Sequence, residues 1–169
     1  AEVEYENKVS PSIYVAFKLK NNQDSLVIWT TTPWTLPANT GISLNPDEVY
    51  VRTSDGYIVA QKRYQALLEE GVLSGEVTDK IDAKNFDRLF AINPLNQRHS
   101  TLVLGEHVLM ENGSGCVHTA PGHGEDDYRV GLRYGLDVLM PVDETGCYDQ
   151  TIVRESLLPN PETFVKTHI

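Results

Sequence analysis

Short runs in which apolar and polar residues alternate dominate the chain and predict a β-rich fold. Residues 48–61 contain two such runs on either side of Asp55-Gly56, a dipeptide that favours a tight turn, so they predict a β-hairpin. A short apolar run at residues 25–29 predicts a buried strand. Residues 12–19 alternate as well, which places four apolar side chains on one face of a strand: Ile13, Val15, Phe17 and Leu19.

Two segments have helical spacing. Residues 62–72 group three apolar side chains on one side and end at Gly71, whereas residues 124–135 place three acidic residues in the first turn and end at Gly135. Further strands are predicted at residues 100–105, 107–110, 116–120 and 137–142, with another short strand after the turn at 143–146. Many short strands with a few helices predict a β-rich α+β fold, with a closed β-barrel-like core and peripheral helices.

Length and termini indicate one domain over residues 1–169. Residues 1–10 and 151–169 carry little periodic pattern, and we expect them to be connecting segments rather than core, with the domain itself excised from a longer chain. The first ten residues lack the basic and apolar regions of a signal peptide.

Composition narrows the class of protein. Hydrophobic residues make up 40% and charged residues 22% of the chain, as is ordinary for a soluble globular domain. No apolar run approaches the roughly 18 residues that cross a membrane, so we expect no membrane contact. The net charge of −10 argues against a domain that mainly grips nucleic-acid backbone, although contact with one short nucleotide end stays possible. Two cysteines do not make a disulfide framework, which favours a cytoplasmic or organellar location.

The segment WTTTPWTLPAN, residues 29–39, carries more chemistry than a strand end requires. A buried-type strand runs into Thr30, Thr31 and Thr32, and Pro33 and Pro37 stiffen the following loop. Threonines at this position are explained either by strand propensity and backbone capping or by a need for hydroxyls that both donate and accept hydrogen bonds.

The segment NGSGCVHTAPGHGEDDY, residues 112–128, is the second candidate. Its Cys116, His118 and His123 lack the CxxC or HExxH spacing of a zinc site, and its glycines match no phosphate-binding loop, so we predict neither metal nor cofactor. A small buried role is expected for Cys116 rather than a nucleophilic one. Taken alone, His118 is more often a structural histidine, and the composition favours helix N-terminal charges as the role of the acids at 125–127.

Together these two segments resemble the editing domain of isoleucyl-tRNA synthetase, the insertion called connective peptide 1. The resemblance extends more loosely from residue 12 to about residue 149. The valyl and leucyl enzymes typically carry Thr-Thr-Arg-Pro followed by an acid, whereas this chain has Thr32 and Trp34 at those positions, which favours the isoleucyl form. Ser114 replaces the usual threonine of the second motif, a conservative departure. The HIGH and KMSKS motifs of the synthetic site are absent from the sequence.

The resemblance implies post-transfer editing. A synthetase that binds isoleucine gains only about 1–3 kcal/mol of discrimination from one methylene, so a second, smaller pocket hydrolyses valyl-tRNA(Ile) and excludes isoleucyl-tRNA. The implied partners are the 3′ aminoacyl-adenosine end of tRNA(Ile), valine as the misattached amino acid, and the remainder of the synthetase chain. Two alternatives stay open: an editing domain of a valyl or leucyl enzyme, and a non-catalytic module that binds a tRNA end or another protein.

Site roles follow from the same resemblance. Asp127 is expected to bind the substrate's α-ammonium, with Asp126 as the next candidate, and His118 to form the pocket wall that excludes isoleucine. No residue is an obvious general base; a histidine or a positioned water, helped by the ribose hydroxyl, remains open. The full implied set comprises catalytic residues Thr30, Thr31, Thr32, His118 and Asp127 and substrate-binding residues Trp29, Trp34, Asn39, Thr119 and Asp126.

Overall fold

A closed barrel of six strands forms the core of the molecule. The computed structural model describes residues 12–169. Within them nine strands are formed: β1 Ile13–Leu19, β2 Ser25–Thr30, β3 Gly41–Leu44, β4 Val49–Thr53, β5 Tyr57–Ala60, β6 Val77–Asp82, β7 Phe90–Ile92, β8 His99–Leu104 and β9 Cys116–Thr119. The ring runs in the order β1-β7-β8-β3-β9-β2 and closes because β1 and β2 pair over six residues.

Strand directions in this barrel are mixed. β3 is parallel to β8 and β2 is parallel to β9, whereas β1–β2, β1–β7, β7–β8 and β3–β9 are antiparallel. Closure leaves these six strands without a free edge. Side chains that point inward fill the barrel, among them Phe17, Ile28, Ile42 and Leu102, all with no exposed surface. Each contributes about 1.5–3 kcal/mol to stability by leaving water.

The remaining three strands extend the sheet outward from β2 in the order β5-β4-β6. β4 and β5 form the predicted antiparallel hairpin across Asp55-Gly56, and Gly56 has a φ of 87° that suits this turn. The helix α1, Gln61–Glu69, packs against this extension through Leu67, which is fully buried with Val27, Val51 and Val59.

Two other α-helices and three 3₁₀ helices surround the barrel. They are α2 Glu125–Tyr134, α3 Thr151–Arg154, and the 3₁₀ helices Pro33–Ala38, Ala83–Phe86 and Pro161–Phe164. α2 ends at Gly135 in the left-handed conformation, with φ 68°, as the sequence predicted. The predicted fold class, a β-rich α+β protein with a barrel-like core and peripheral helices, is confirmed.

Several predicted strands were wrong. Residues 107–110 form a turn and irregular backbone, and residues 137–142 form no strand beyond the isolated bridge between Val142 and Tyr148. The strand predicted after residues 143–146 is likewise limited to isolated bridges at Cys147 and Tyr148. Three strands went unpredicted. β3 is buried on every side chain and so shows no alternation, β6 is almost wholly exposed and polar, and β7 is only three residues long.

Residues 151–169 pack, contrary to the expectation that they stay outside the core. Ile152 and Leu157 are fully buried in a second cluster with Ala38, Leu139 and Tyr148. Their apolar side chains lack helical or strand periodicity in sequence, because a four-residue helix and irregular backbone place them. Whether this segment connects to further chain stays a prediction, and the expectation for residues 1–10 lies outside the described residues.

Candidate active site

A small cavity forms where the end of β2 meets β9. Trp29 of β2 pairs with Val117 of β9 in a parallel register, which brings the threonines that follow Trp29 beside His118. The first turn of α2 closes another side of the cavity. Its volume is about 240 Å³, and it is lined by Trp29, Thr30, Thr31, Thr32, Thr35, Val117, His118, His123 and Asp127.

The three threonines differ in what they do. Thr30 is buried, and its hydroxyl accepts a hydrogen bond from the Thr32 backbone N–H at 3.0 Å. Thr30 therefore has the capping role that threonine commonly takes at the end of a strand. Thr31 and Thr32 are exposed to solvent at the cavity, so their hydroxyls are the ones within reach of a bound molecule.

His118 is held from both ring nitrogens. Nδ1 lies 2.8 Å from the amide nitrogen of Asn39, which donates to it and also donates to the Gly41 carbonyl at 2.9 Å. Nε2 lies 2.7 Å from the Thr35 hydroxyl, which itself donates to the Thr32 carbonyl at 2.8 Å. These partners assign the neutral tautomer with its proton on Nε2.

Two features keep the His118 imidazole neutral and immobile. Burial, with a smaller contribution from the nearby His123, lowers its pKa from the usual 6.5 to about 4. Asn39 is itself fixed, because its side-chain oxygen accepts a hydrogen bond from the Ser100 hydroxyl at 2.6 Å. With both nitrogens engaged by the protein, His118 presents a rigid ring and not a free base.

Asp127 faces the cavity from the opposite side. Its Oδ2 accepts a hydrogen bond from the Ala120 backbone N–H at 3.0 Å, which fixes the plane of the carboxylate next to the end of β9. Burial raises the pKa of Asp127, and the Ala120 hydrogen bond opposes that shift. Gly124 leaves room for this arrangement, since a Cβ there would lie 3.2 Å from the Asp127 carboxyl carbon.

Three residues of the cavity lining were missed from the sequence: Thr35, Val117 and His123. Thr35 stands in the first motif, but its contact with His118 spans 83 positions and no local pattern signals it. His123 was considered only as a metal ligand. It packs edge-on against Trp34 with ring centroids 5.7 Å apart, and its Nε2 is buried without a hydrogen bond among residues 12–169.

Four residues predicted to bind substrate lie outside the cavity lining: Trp34, Asn39, Thr119 and Asp126. Trp34 is 39% exposed and reaches the site only through His123. Thr119 is fully buried and its hydroxyl lies 2.7 Å from that of Ser43, so it cannot contact a molecule bound in the cavity. Asp126 lines a different cavity, which leaves Asp127 as the carboxylate of this one. Asn39 does not line the cavity but holds His118 in place through the hydrogen bond from its side-chain amide to Nδ1.

The cysteine of the second motif has the structural role that was predicted. Cys116 is a free thiol, 1% exposed, and burial raises its pKa well above the ordinary value, so it is not a poised nucleophile. Within the described part of the chain, no three His, Cys, Asp or Glu side chains are close enough together to hold a metal ion. No helix between residues 12 and 169 has the length and apolar character needed to cross a bilayer.

The cavity brings charged, polar and aromatic side chains together around one small space. A half-buried carboxylate faces the cavity from α2, two accessible hydroxyls face it from the end of β2, and a neutral aromatic ring bounds another side. A family model described as "Leucyl-tRNA synthetase, editing domain" matches residues 9–167, and the chain belongs to this family of synthetase editing domains. The resemblance inferred from the two motifs is thereby confirmed.

Curated proteins that are similar to this chain include isoleucine–tRNA ligases. The enzyme from Sulfurimonas denitrificans is 61% identical over 178 residues, and that from a Sulfurovum species is 62% identical over 178 residues. Each alignment covers 100% of this chain and 19% of the relative, so the chain spans about a fifth of their length. Among solved structures, the editing domain of the Plasmodium knowlesi cytosolic leucyl-tRNA synthetase aligns over 73% of this chain and 63% of its own, with a TM-score of 0.62 and 14% identity.

Proposed function

We propose that this chain is the editing domain of a longer isoleucyl-tRNA synthetase and hydrolyses the ester of valine misattached to tRNA(Ile). The observation that carries the proposal is the cavity itself. It places the Asp127 carboxylate and the Thr31 and Thr32 hydroxyls around one small space bounded by the His118 ring. The isoleucine–tRNA ligase relatives favour tRNA(Ile) over the tRNAs of the sister enzymes.

The cavity suits an aminoacyl group and not a whole nucleotide. Its volume of about 240 Å³ lies below the roughly 300–1,000 Å³ of sites that enclose drug-sized ligands. The amino-acid part of the ester would therefore enter, while the adenosine stays at the mouth. An α-ammonium held by the half-buried Asp127 carboxylate would point the ester carbonyl at the threonines, because a charge-assisted hydrogen bond fixes direction as well as position.

Discrimination between valine and isoleucine would come from the His118 ring, which forms one wall of the cavity. His118 cannot swing away to admit a larger side chain without breaking its hydrogen bonds to Thr35 and Asn39. Rejecting one extra methylene by steric conflict with a rigid ring is how a second pocket can exceed the discrimination that a binding site for the larger substrate achieves. Valine would fit and isoleucine would not.

Hydrolysis of the aminoacyl ester would not require a strong general base from the protein. Water adds to the ester carbonyl, the bond between that carbon and the ribose oxygen breaks, and valine and tRNA with a free terminal hydroxyl are released. Since both His118 nitrogens are engaged, the attacking water would be positioned by Thr31, Thr32 and the neighbouring ribose hydroxyl. The orientation of the water and the ester, together with hydrogen bonds to the developing oxyanion, would then account for the rate acceleration.

The test is deacylation by the full-length protein that carries this segment. Wild type should hydrolyse valyl-tRNA(Ile) and spare isoleucyl-tRNA(Ile), and Asp127→Ala should remove most valyl-tRNA hydrolysis while isoleucine activation is unchanged. Asp126→Ala is the matched control, because this neighbouring carboxylate lies outside the cavity. If Asp127→Ala clears valyl-tRNA at the wild-type rate, the ammonium anchor is misassigned. If wild type hydrolyses neither ester, the domain is a non-catalytic module.

A further inference from the structure

The hydrogen bonds around His118 continue beyond its immediate partners and form one connected series. The Ser100 hydroxyl donates to the Asn39 side-chain oxygen at 2.6 Å, and the Asn39 amide donates to His118 Nδ1 at 2.8 Å. On the other side of the ring, Nε2 donates to the Thr35 hydroxyl at 2.7 Å, which donates to the Thr32 carbonyl at 2.8 Å. We call this series the His118 clamp. It joins strand β8 to the loop that carries the cavity threonines.

The direction of the donors in the His118 clamp is set at Asn39. Its two amide protons are used by the Gly41 carbonyl and by His118 Nδ1. Among residues 12–169, the partner of its side-chain oxygen is the Ser100 hydroxyl. A flipped amide would turn its oxygen toward the Gly41 carbonyl, so that two acceptors would face each other. The amide therefore presents a proton to Nδ1, which places the ring proton on Nε2.

Ser100 and Gly41 hold the Asn39 amide from neighbouring strands. β3 and β8 pair in parallel, and Gly41 lies opposite Thr101, the residue that follows Ser100. Ser100 is 0% and Asn39 is 1% exposed, so neither group contacts bulk water. Loss of the Ser100 hydroxyl would leave the Asn39 oxygen buried without a partner, and a buried polar group in that state favours movement toward a new one.

We propose that Ser100 is a positioning residue for discrimination: through Asn39 it fixes the orientation and the tautomer of the His118 ring, and so the position of the wall that excludes isoleucine. Ser100 itself lies outside the cavity lining. A ring held securely at one nitrogen only can tilt, and the cavity has a single methylene by which to distinguish the two amino acids. The proposal rests on the proposed function for discrimination, whereas the coupling of Ser100 to His118 requires no substrate.

Ser43 provides a matched control. Like Ser100 it is fully buried on a barrel strand, and its hydroxyl lies 2.7 Å from the hydroxyl of Thr119. Thr119 follows His118 in the chain, but within residues 12–169 the Ser43–Thr119 pair makes no side-chain hydrogen bond to the His118 clamp. Ser43→Ala therefore removes the same buried hydroxyl from the same barrel and leaves the clamp intact.

The experiment is single-turnover deacylation of valyl-tRNA(Ile) and isoleucyl-tRNA(Ile) by the full-length protein. Ser100→Ala should raise hydrolysis of isoleucyl-tRNA about 10-fold, the low end of what one methylene is worth, and should change hydrolysis of valyl-tRNA less. Ser43→Ala should keep the wild-type ratio of the two rates. In the His118→Ala protein, which lacks the wall, the further substitution Ser100→Ala should leave the ratio unchanged, because Ser100 acts through His118.

An unchanged ratio in Ser100→Ala would overturn the proposal. A further change of the ratio in the double variant would do so as well, since it would show that Ser100 acts by another route. If Ser100→Ala does not fold, the same comparison uses Ser100→Cys, whose thiol is a weaker donor. A wild-type ratio in Ser100→Cys would then overturn the proposal.

Hydrogen–deuterium exchange of the same full-length proteins without RNA tests the coupling separately from the proposed function. Asn39 follows the 3₁₀ helix Pro33–Ala38 directly, so a loosened amide should speed exchange across residues 33–40 in Ser100→Ala and not in Ser43→Ala. If wild type hydrolyses neither ester, the proposed function fails, and faster exchange in Ser100→Ala still supports the positioning role of Ser100. Equal exchange in the two serine variants would overturn that role whatever the activity.

Discussion

The buried neutral imidazole of His118 predicts a specific dependence of stability on pH. An unfolded histidine has a pKa of about 6.5, whereas burial lowers the pKa of His118 in the folded chain to about 4. As the pH falls below 6.5 the unfolded state binds the proton first, so protonation favours unfolding until the native state also protonates near pH 4. The stability linked to His118 is therefore complete above pH 6.5 and is lost on acidification.

The size of this loss follows from the two pKa values. One pKa unit corresponds to about 1.4 kcal/mol, and between pH 7.5 and pH 4.5 the linkage relation gives a fall of about 2.5 kcal/mol in the free energy of unfolding from His118 alone. His118→Asn removes the titrating group but keeps an oxygen that can accept from the Asn39 amide. It loses the hydrogen bond to Thr35, which costs about 1 kcal/mol at pH 7.5.

Urea denaturation followed by circular dichroism at the two pH values measures the effect. Wild type should lose about 2.5 kcal/mol more than His118→Asn between pH 7.5 and pH 4.5, on top of the acid sensitivity that both share. His99→Asn is the control, because it removes a histidine whose ring is exposed on β8. Equal losses in wild type and His118→Asn would refute the assignment of a buried neutral ring.

Two further variants test the groups around the ester. Replacing Thr31 and Thr32 together with alanine should slow valyl-tRNA deacylation by about 10²–10³-fold, the usual cost of losing positioned hydrogen-bond donors, with little change in the melting temperature. A large fall in melting temperature would show instead that both threonines cap the backbone, as Thr30 does. Gly124→Ala should slow deacylation several-fold, because the added Cβ would lie 3.2 Å from the Asp127 carboxyl carbon and displace the carboxylate slightly. This effect is smaller than the about 10²-fold cost of a 1 Å misplacement. An unchanged rate would mean that the carboxylate tolerates displacement.

Alternation predicted β1 and the β4–β5 hairpin, and a short apolar run predicted β2. The hairpin at residues 48–61 and the two longer helices follow from local signals such as Asp55-Gly56 and Gly135, and the structure has them there. Alternation failed where burial is not one-sided: β3 buries both faces and β6 exposes both. The pairing of β1 with β2 that closes the barrel, and the pairing of β2 with β9, cannot be predicted from local sequence patterns.

The two motifs located the cavity but could not assign the role of each residue. Neighbouring positions on a helix differ by about 100° in direction, so only the structure shows that Asp127 lines the cavity and Asp126 does not. Thr119 is adjacent to His118, yet its side chain is engaged with Ser43 inside the molecule. The clamp on His118 joins residues 35, 39 and 100 to residue 118, and sequence separation hides it.

The most direct measurement of the central claim is single-turnover deacylation of valyl-tRNA(Ile) and isoleucyl-tRNA(Ile) by full-length wild type and His118→Ala. Removing the ring should open the cavity to one more methylene, so His118→Ala should begin to hydrolyse isoleucyl-tRNA, which wild type spares. Valyl-tRNA hydrolysis should fall less, since Asp127 and the exposed threonines remain in place. Loss of valyl-tRNA hydrolysis with no gain on isoleucyl-tRNA would contradict the account and assign His118 a catalytic or purely structural role.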